Sequence, residues 1–311
     1  MIHKEDEFMG DIVNEIIKGR KTFFIAPDRS LFPQSYLEDY LTLGYECYFI
    51  DTDIFLPVDV KVDIILSVFK DSILFFNIDA PIQNTTWSAL ISNMQRKYPS
   101  STFGIIYAKR QSETERHAIE KKYLYTIGIQ GGCIQLEYQK RNNFELIDKM
   151  LFANQASGRR KNVRAVCTTG CKIQFLSPKN GVINANLADI SISHFSFVLP
   201  TGQLEIQDYE KVRDIGFTVK GLRFRTDAVL YMKRETEEGE LFVMAFATKS
   251  EINGIPPVNK SLLVPKIYEI MMDNCSELLD KLFSSATRIR KNLGESEANL
   301  DALTESPLDI N

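Results

Sequence analysis

The amino-acid sequence predicts a doubly wound α/β domain, a small antiparallel β-barrel and a C-terminal helix. Three observations carry this. Residues 1–150 alternate apolar, β-branched and aromatic runs with helical segments five times over. From Arg164 onward, six shorter strand-like runs separated by turn sequences follow in fewer than 90 residues. Beyond them, Met271, Cys275, Leu278 and Leu282 recur at alternating spacings of four and three, the signature of one face of a helix.

Taken in order, Phe8, Ile12, Ile16 and Ile17 predict a short amphipathic helix between Glu5 and Lys18. The runs KTFFIAP, YECYFID, SILFFNID, STFGIIYA and CIQLEY then read as strands. Helical segments begin after them near Pro33, Val60, Thr85, Glu113 and Phe144. Strands that do not alternate with polar residues are buried on both faces, so a parallel, flavodoxin-like sheet covered by helices is expected, with ligands at the carboxyl ends of its strands. Residues 151–164, LFANQASGRRKNVR, pass from helix formers to Ala-Ser-Gly and then to arginines. Glycine freedom and charge repulsion predict a hinge here. The runs RAVCTTGCKIQFLSP, GVINANLADIS, HFSFVLP, DIGFTVKG, FRTDAVLYMKR and GELFVMAFA predict a six-stranded antiparallel barrel over 165–250. Its turns are Pro178-Lys179-Asn180-Gly181, Pro200-Thr201-Gly202 and Glu237-Glu238-Gly239. After the NGIPPVN break, residues 258–292 contain one helix, reading as Leu263 to about Arg290 with Pro265 in its first turn. Its apolar stripe is expected to pack on its own domain; a seam two turns longer would suit dimerisation. Residues 293–311 carry acids and no base, and read as a disordered tail.

Composition sets outer bounds on function. With 311 residues, 44% hydrophobic and 25% charged, the chain has material for two cores. A net charge of -4 offers no general attraction to DNA, RNA or anionic lipid, so an anion site has to be a local basic patch. No apolar run is long enough to span a bilayer and the N-terminus lacks an apolar signal core, which predicts a cytoplasmic protein without membrane insertion. Cys47, Cys133, Cys167, Cys171 and Cys275 are scattered through apolar sequence, without the spacing of a metal site. No metal, no cofactor and no catalytic residue is expected.

The basic patch is Ser157 to Arg164, SGRRKNVR, which holds three arginines. Each guanidinium is a planar fork able to grip phosphate or the O6/N7 edge of guanine. The spacing Arg160-x-x-x-Arg164, followed 25 residues later by Asp189-x-Ser191, resembles the paired RxxxR and [DN]xSxxG motifs of PilZ domains. The resemblance implies a barrel that binds the bacterial second messenger cyclic di-GMP. Arg160 and Arg164 would hold phosphate and the guanine O6/N7 edge, Asp189 would accept from guanine N1 and N2, and Ser191 would complete the cradle. Arg159 would supply a third fork, toward a second stacked ligand. His194 stands where that motif has its closing glycine.

The strand ends of the first domain resemble bacterial receiver domains. Receivers place an acidic pair after the first strand, a phosphoaccepting aspartate after the third, Thr or Ser after the fourth and lysine after the fifth. Here the corresponding positions read Ala26-Pro27-Asp28, Asn77-Ile78-Asp79-Ala80-Pro81 and Tyr107-Ala108, with Lys140 near the last. An amide at 77 is no phosphoryl acceptor, and the side chain of Asp79 should point the other way along the strand. A degenerate receiver is expected, kept for contacts. Together these readings predict a non-enzymatic cyclic di-GMP receptor whose ligand orders the arginine hinge, reorients the two domains and alters the surface offered to an unidentified protein partner. The alternative is a ligand-independent adaptor or scaffold with a degenerate PilZ barrel.

Overall fold

The computed structural model describes residues 13–14, 16–108, 112–158, 162–248 and 254–304, with side chains to residue 291. Most of the expected N-terminal helix lies outside these; Val13, Asn14, Ile16 and Ile17 within it are helical. Strands β1 (Thr22–Ile25), β2 (Cys47–Ile50), β3 (Ile73–Asn77), β4 (Thr102–Ala108) and β5 (Gly132–Leu136) pair in parallel in the order β2-β1-β3-β4-β5. This is the flavodoxin-like order the sequence predicts. The helices between them are α1 (Ser35–Thr42), α2 (Val58–Val68), α3 (Trp87–Lys97) and α4 (Glu113–Glu120), whose last turns widen into a π-helix over Lys121–Ile127. Helix α5 (Lys140–Ala153) follows β5. Strands β1, β2 and β3 are buried at every position, so a two-sided helical cover explains their unbroken apolar texture.

The second sheet begins with β6 (Ala165–Val166), β7 (Cys171–Ser177) and β8 (Gly181–Ile190). It continues with β9 (His194–Leu199), β10 (Lys211–Val219), β11 (Leu222–Thr236) and β12 (Gly239–Ala247). The order β8-β7-β10-β11-β12-β9 closes through a β8–β9 pairing into a six-stranded antiparallel barrel, with β6 added on β8. One expected strand, RAVCTTGCKIQFLSP, is therefore two. Gly170 takes φ 72°, a left-handed turn between β6 and β7. The barrel interior is aromatic: Phe195 meets Phe217 edge-on at 4.9 Å between ring centroids, and Phe217 stacks on Phe224 at 4.8 Å.

Helix α6 (Pro257–Thr304) departs most from expectation. It starts at Pro257, so Pro265 sits in its interior and leaves the Ser261 carbonyl without its helical donor. It also runs past residue 292 into the segment expected to be a tail, where Glu295, Glu297, Ala298, Leu300 and Ala302 are good helix formers that offset Gly294. Nor does it pack on one domain. Leu263, Val264, Ile267, Tyr268, Ile270 and Met271 are all buried, more than one stripe can account for. The helix lies against α1 and α2 of the first unit and β6 and β11 of the second. Asn274 Nδ2 donates to the Val166 carbonyl at 2.8 Å, and Lys220 pairs with Asp273 at 2.9 Å, on the barrel side. Lys61 lies over the Phe283 ring at 5.5 Å on the other.

Under α6 is a buried ion pair. Lys21, 2% exposed just before β1, donates to Glu46, just before β2, and to the Lys18 carbonyl at 3.3 Å. The Tyr48 hydroxyl donates to the same Glu46 carboxylate. Burial first, and then the Glu46 charge, hold the Tyr48 phenol well above its usual range.

Candidate functional site

Strand pairing brings together residues that are distant in sequence. β6 lies antiparallel to β8 with Val166 opposite Asp189, so Arg164, immediately before β6, arrives beside Asp189. Arg164 Nη1 donates to Asp189 Oδ2 at 3.3 Å, and Nε lies 3.3 Å from Oδ1. Asp189 itself is aimed by an irregularity. Along β8, Leu187 pairs with Phe197 but Asp189 pairs with Ser196, so Ala188 is a bulge. Leu187 and Ile190 both face the core, three residues apart, which turns Asp189 outward. Ser196 Oγ then donates to Asp189 Oδ2 at 2.7 Å.

Ser191 to His194 form the turn from β8 to β9. Ser191 is 3% exposed, and its Oγ accepts from the backbone N–H of His194 at 3.0 Å and of Ser193 at 3.3 Å while donating to the His194 carbonyl at 3.1 Å. This hydroxyl shapes the turn. The rim is formed by Ser193, whose Oγ accepts from Asn162 Nδ2 at 2.8 Å and meets His194 Nδ1 at 2.8 Å. None of Ser191 to His194 takes a left-handed φ, so the turn closes without a glycine and His194 enters β9 in ordinary strand geometry. Its ring meets Tyr231 edge-on at 5.5 Å, and Tyr231 is 56% exposed. Burial, and then the neighbouring Arg164 charge, hold the His194 imidazole below its usual value, while Asp189 pulls the other way.

Of the six residues singled out in sequence, Arg164, Asp189, Ser191 and His194 thus converge on one rim of the barrel. Arg159 and Arg160 lie outside the described residues. Ahead of them, Ser157 bridges to Tyr45 of the first unit. After them, Asn162 touches the barrel rim through Ser193. Sequence reasoning missed Asn162, Ser193, Ser196 and Tyr231. The polar run SISHFS carries the only local hint of the two serines, and nothing local points to Tyr231.

The carboxyl ends of the parallel strands are engaged differently. Asn77 Nδ2 donates to the Ala26 carbonyl at 2.9 Å, tying β3 to β1. Asp79, beyond the end of β3, accepts from the Ala108 N–H at 2.6 Å, tying it to β4. Lys140 is exposed at the start of α5, and burial raises the Tyr107 phenol to about 12. Among the described residues, no group of three or more His, Cys, Asp or Glu side chains could hold a metal ion. Treatment with acetyl phosphate and Mg²⁺ is expected to leave the mass of the protein unchanged. A stable adduct on Asp79 or Asp28 would show that these carboxylates retain acceptor chemistry.

No family profile and no curated protein matches the chain. Among solved structures it is similar to YcgR of Escherichia coli, crystallised with c-di-GMP, at 20% identity over 40% of this chain and 50% of that one, with a TM-score of 0.33. It is similar to the isolated PilZ domain of YcgR with c-di-GMP at 18% identity over 40% of this chain and 98% of that one, with a TM-score of 0.33. A pilus assembly protein, CpaE, from Burkholderia thailandensis is similar at 15% identity over 43% of this chain and 98% of that one, with a TM-score of 0.26. The chain spans half the length of the YcgR structure. No helix among the described residues is long and apolar enough to cross a membrane.

Proposed function

We propose that the chain is a cyclic di-GMP receptor without catalysis of its own. Ligand seats on the Asp189–His194 rim, the 159–164 segment closes over it, and the ordering of that segment resets one unit against the other for a protein partner. The carrying observation is the meeting of Arg164 and Asp189 beside the serine turn, which sets a donor fork and an acceptor side by side. Guanine presents acceptors, O6 and N7, on one edge and donors, N1–H and N2–H, on another. In the free protein the fork and the carboxylate satisfy each other. A partly exposed pair of this kind is worth about 0–1 kcal/mol, whereas each charge-assisted bond to ligand contributes about 1.5–3 kcal/mol. Exchange therefore favours ligand. Calorimetric titration with cyclic di-GMP is expected to give micromolar or tighter binding; a titration without heat or saturation would overturn the reading. That result would favour a ligand-independent adaptor, in which the same ion pair serves as a structural tie between β6 and β8.

The histidine supplies a second check. Its pKa is depressed in the free protein, and a phosphodiester placed beside it favours the protonated ring. Binding then takes up a proton. Affinity is expected to rise as pH falls toward the depressed value of the free ring, which lies below the ordinary histidine value of about 6.5. The slope should vanish in His194→Gln. A pH-independent wild type would place the phosphate away from His194.

A further inference from the structure

The turn from β6 to β7 brings two cysteines together. β6 and β7 occupy the same edge of β8, since β9 takes the other. Cys167 prolongs β6 by donating its N–H to the Ala188 carbonyl at 2.9 Å, and β7 resumes the ladder with Lys172 opposite Asn186. Only Leu187 lies between those two partners on β8. Cys167 and Cys171 are therefore about one strand step apart, roughly 3.3 Å along the edge, with Thr168, Thr169 and Gly170 looped out and exposed. Two cysteines so placed are well within the Cα separation of about 7 Å beyond which a disulfide cannot form. The turn is held in this shape from outside. The Gly170 carbonyl accepts from the Lys220 N–H at 3.1 Å, and Cys171 pairs with Val219 on β10.

The side chains complete the approach. The two thiols share a hydrogen bond in which Cys167 keeps the proton and Cys171 accepts. That bond first, and then burial, hold Cys167 well above the usual thiol range. The same bond first, and then, against burial, the backbone N–H and charge of Lys220, lower Cys171. Burial pushes the thiols of Cys47, Cys133 and Cys275 up instead. The pair thus joins a sulfur that favours the thiolate to a second sulfur in direct contact with it, under a three-residue turn open to solvent.

We propose that Cys167 and Cys171 form a redox pair that hydrogen peroxide closes to a disulfide. The Cys171 thiolate attacks one peroxide oxygen, the O–O bond breaks, and the departing hydroxide takes up a proton to leave as water. Cys171 is then a sulfenic acid. The Cys167 sulfur attacks Cys171 Sγ, the S–O bond breaks, and the expelled hydroxide leaves as a second water with the Cys167 proton. Two thiols are oxidised and one peroxide is reduced. The new bond fastens the end of β6, the strand that delivers Arg164 to Asp189, directly to β7.

Peroxide treatment of the folded full chain, followed by alkylation, trypsin and mass spectrometry, tests this. Trypsin releases both cysteines in one peptide, Ala165–Lys172. In the treated wild type that peptide should be two hydrogens lighter and free of alkyl groups, while Cys47, Cys133 and Cys275 are alkylated as before. Dithiothreitol should restore both thiols. In Cys167→Ser the reaction should stop at the first step, leaving a sulfenic acid on Cys171 that dimedone captures. Amide exchange within 165–172 should slow in the oxidised wild type, because the ring ties down a two-residue strand. A wild-type peptide alkylated at both positions after peroxide that fully oxidises free glutathione would overturn the proposal. So would a disulfide joining any other two cysteines, or a Cys167→Ser chain whose Cys171 takes no dimedone.

Discussion

Replacing Arg164 by alanine is expected to weaken cyclic di-GMP binding about ten- to a hundredfold while leaving thermal stability nearly unchanged. The lost bidentate contact is worth about 1–3 kcal/mol in binding. Its fold contribution is small, since the free-state partner, Asp189, keeps Ser196 as a donor at 2.7 Å and the pair is partly exposed. Asp189→Ala should weaken binding as strongly, because it removes the acceptor for guanine and frees Ser196. Asp28→Ala, at the far end of the parallel sheet, serves as the unaffected control. Calorimetry on the three variants, each with a melting curve, separates a ligand contact from a fold defect. Wild-type affinity in Arg164→Ala would remove this arginine from the site.

Lys21→Met is expected to be the most destabilising conservative change in the first unit, by about 3–5 kcal/mol, since it leaves the Glu46 carboxylate without its cation beneath α6. The buried pair is not in itself a large source of stability, because desolvating both charges offsets most of their attraction. Lys21→Met combined with Glu46→Gln should therefore recover most of the loss. Glutamine keeps an acceptor for the Tyr48 hydroxyl while removing the unpaired charge. Urea unfolding of both singles and the double variant gives the coupling energy. Additive losses would mean that Lys21 and Glu46 act independently.

The residues explain which parts of this arrangement are legible in the sequence. Unbroken apolar runs such as TFFI and ILFFN announce strands buried on both faces, and five strand runs in alternation with helices point to a doubly wound sheet. The arginine spacing and Asp189-Ile190-Ser191 mark the barrel rim because few residue types provide that donor and acceptor chemistry. The aim of Asp189 is another matter. It depends on a bulge at Ala188, and a strict two-residue alternation from Leu187 would have turned Asp189 toward the core. Ser196 is joined to the site by cross-strand pairing, which local spacing does not encode. Lys21 opens the run KTFFIAP, and nothing in that run marks it as buried; only Glu46 and the covering helix do. For α6, the apolar stripe declares that a face is buried but not against what. It proves to bridge two units, and its helix formers carry it through a segment whose acidic composition alone suggested disorder.

That bridging has a mechanical consequence. The base of α6 is clamped on both sides, by Asn274 to the barrel and by Phe283 under Lys61 to the parallel-sheet unit. Its 21 residues after Phe283 extend about 30 Å at 1.5 Å per residue. The helix beyond Phe283 is thus a lever whose fulcrum is the junction itself. Tilting the clamped base by about 10° sweeps the tip through roughly 5 Å, on that same rise per residue. Any tilt of the base is thereby magnified at the far end of the rod.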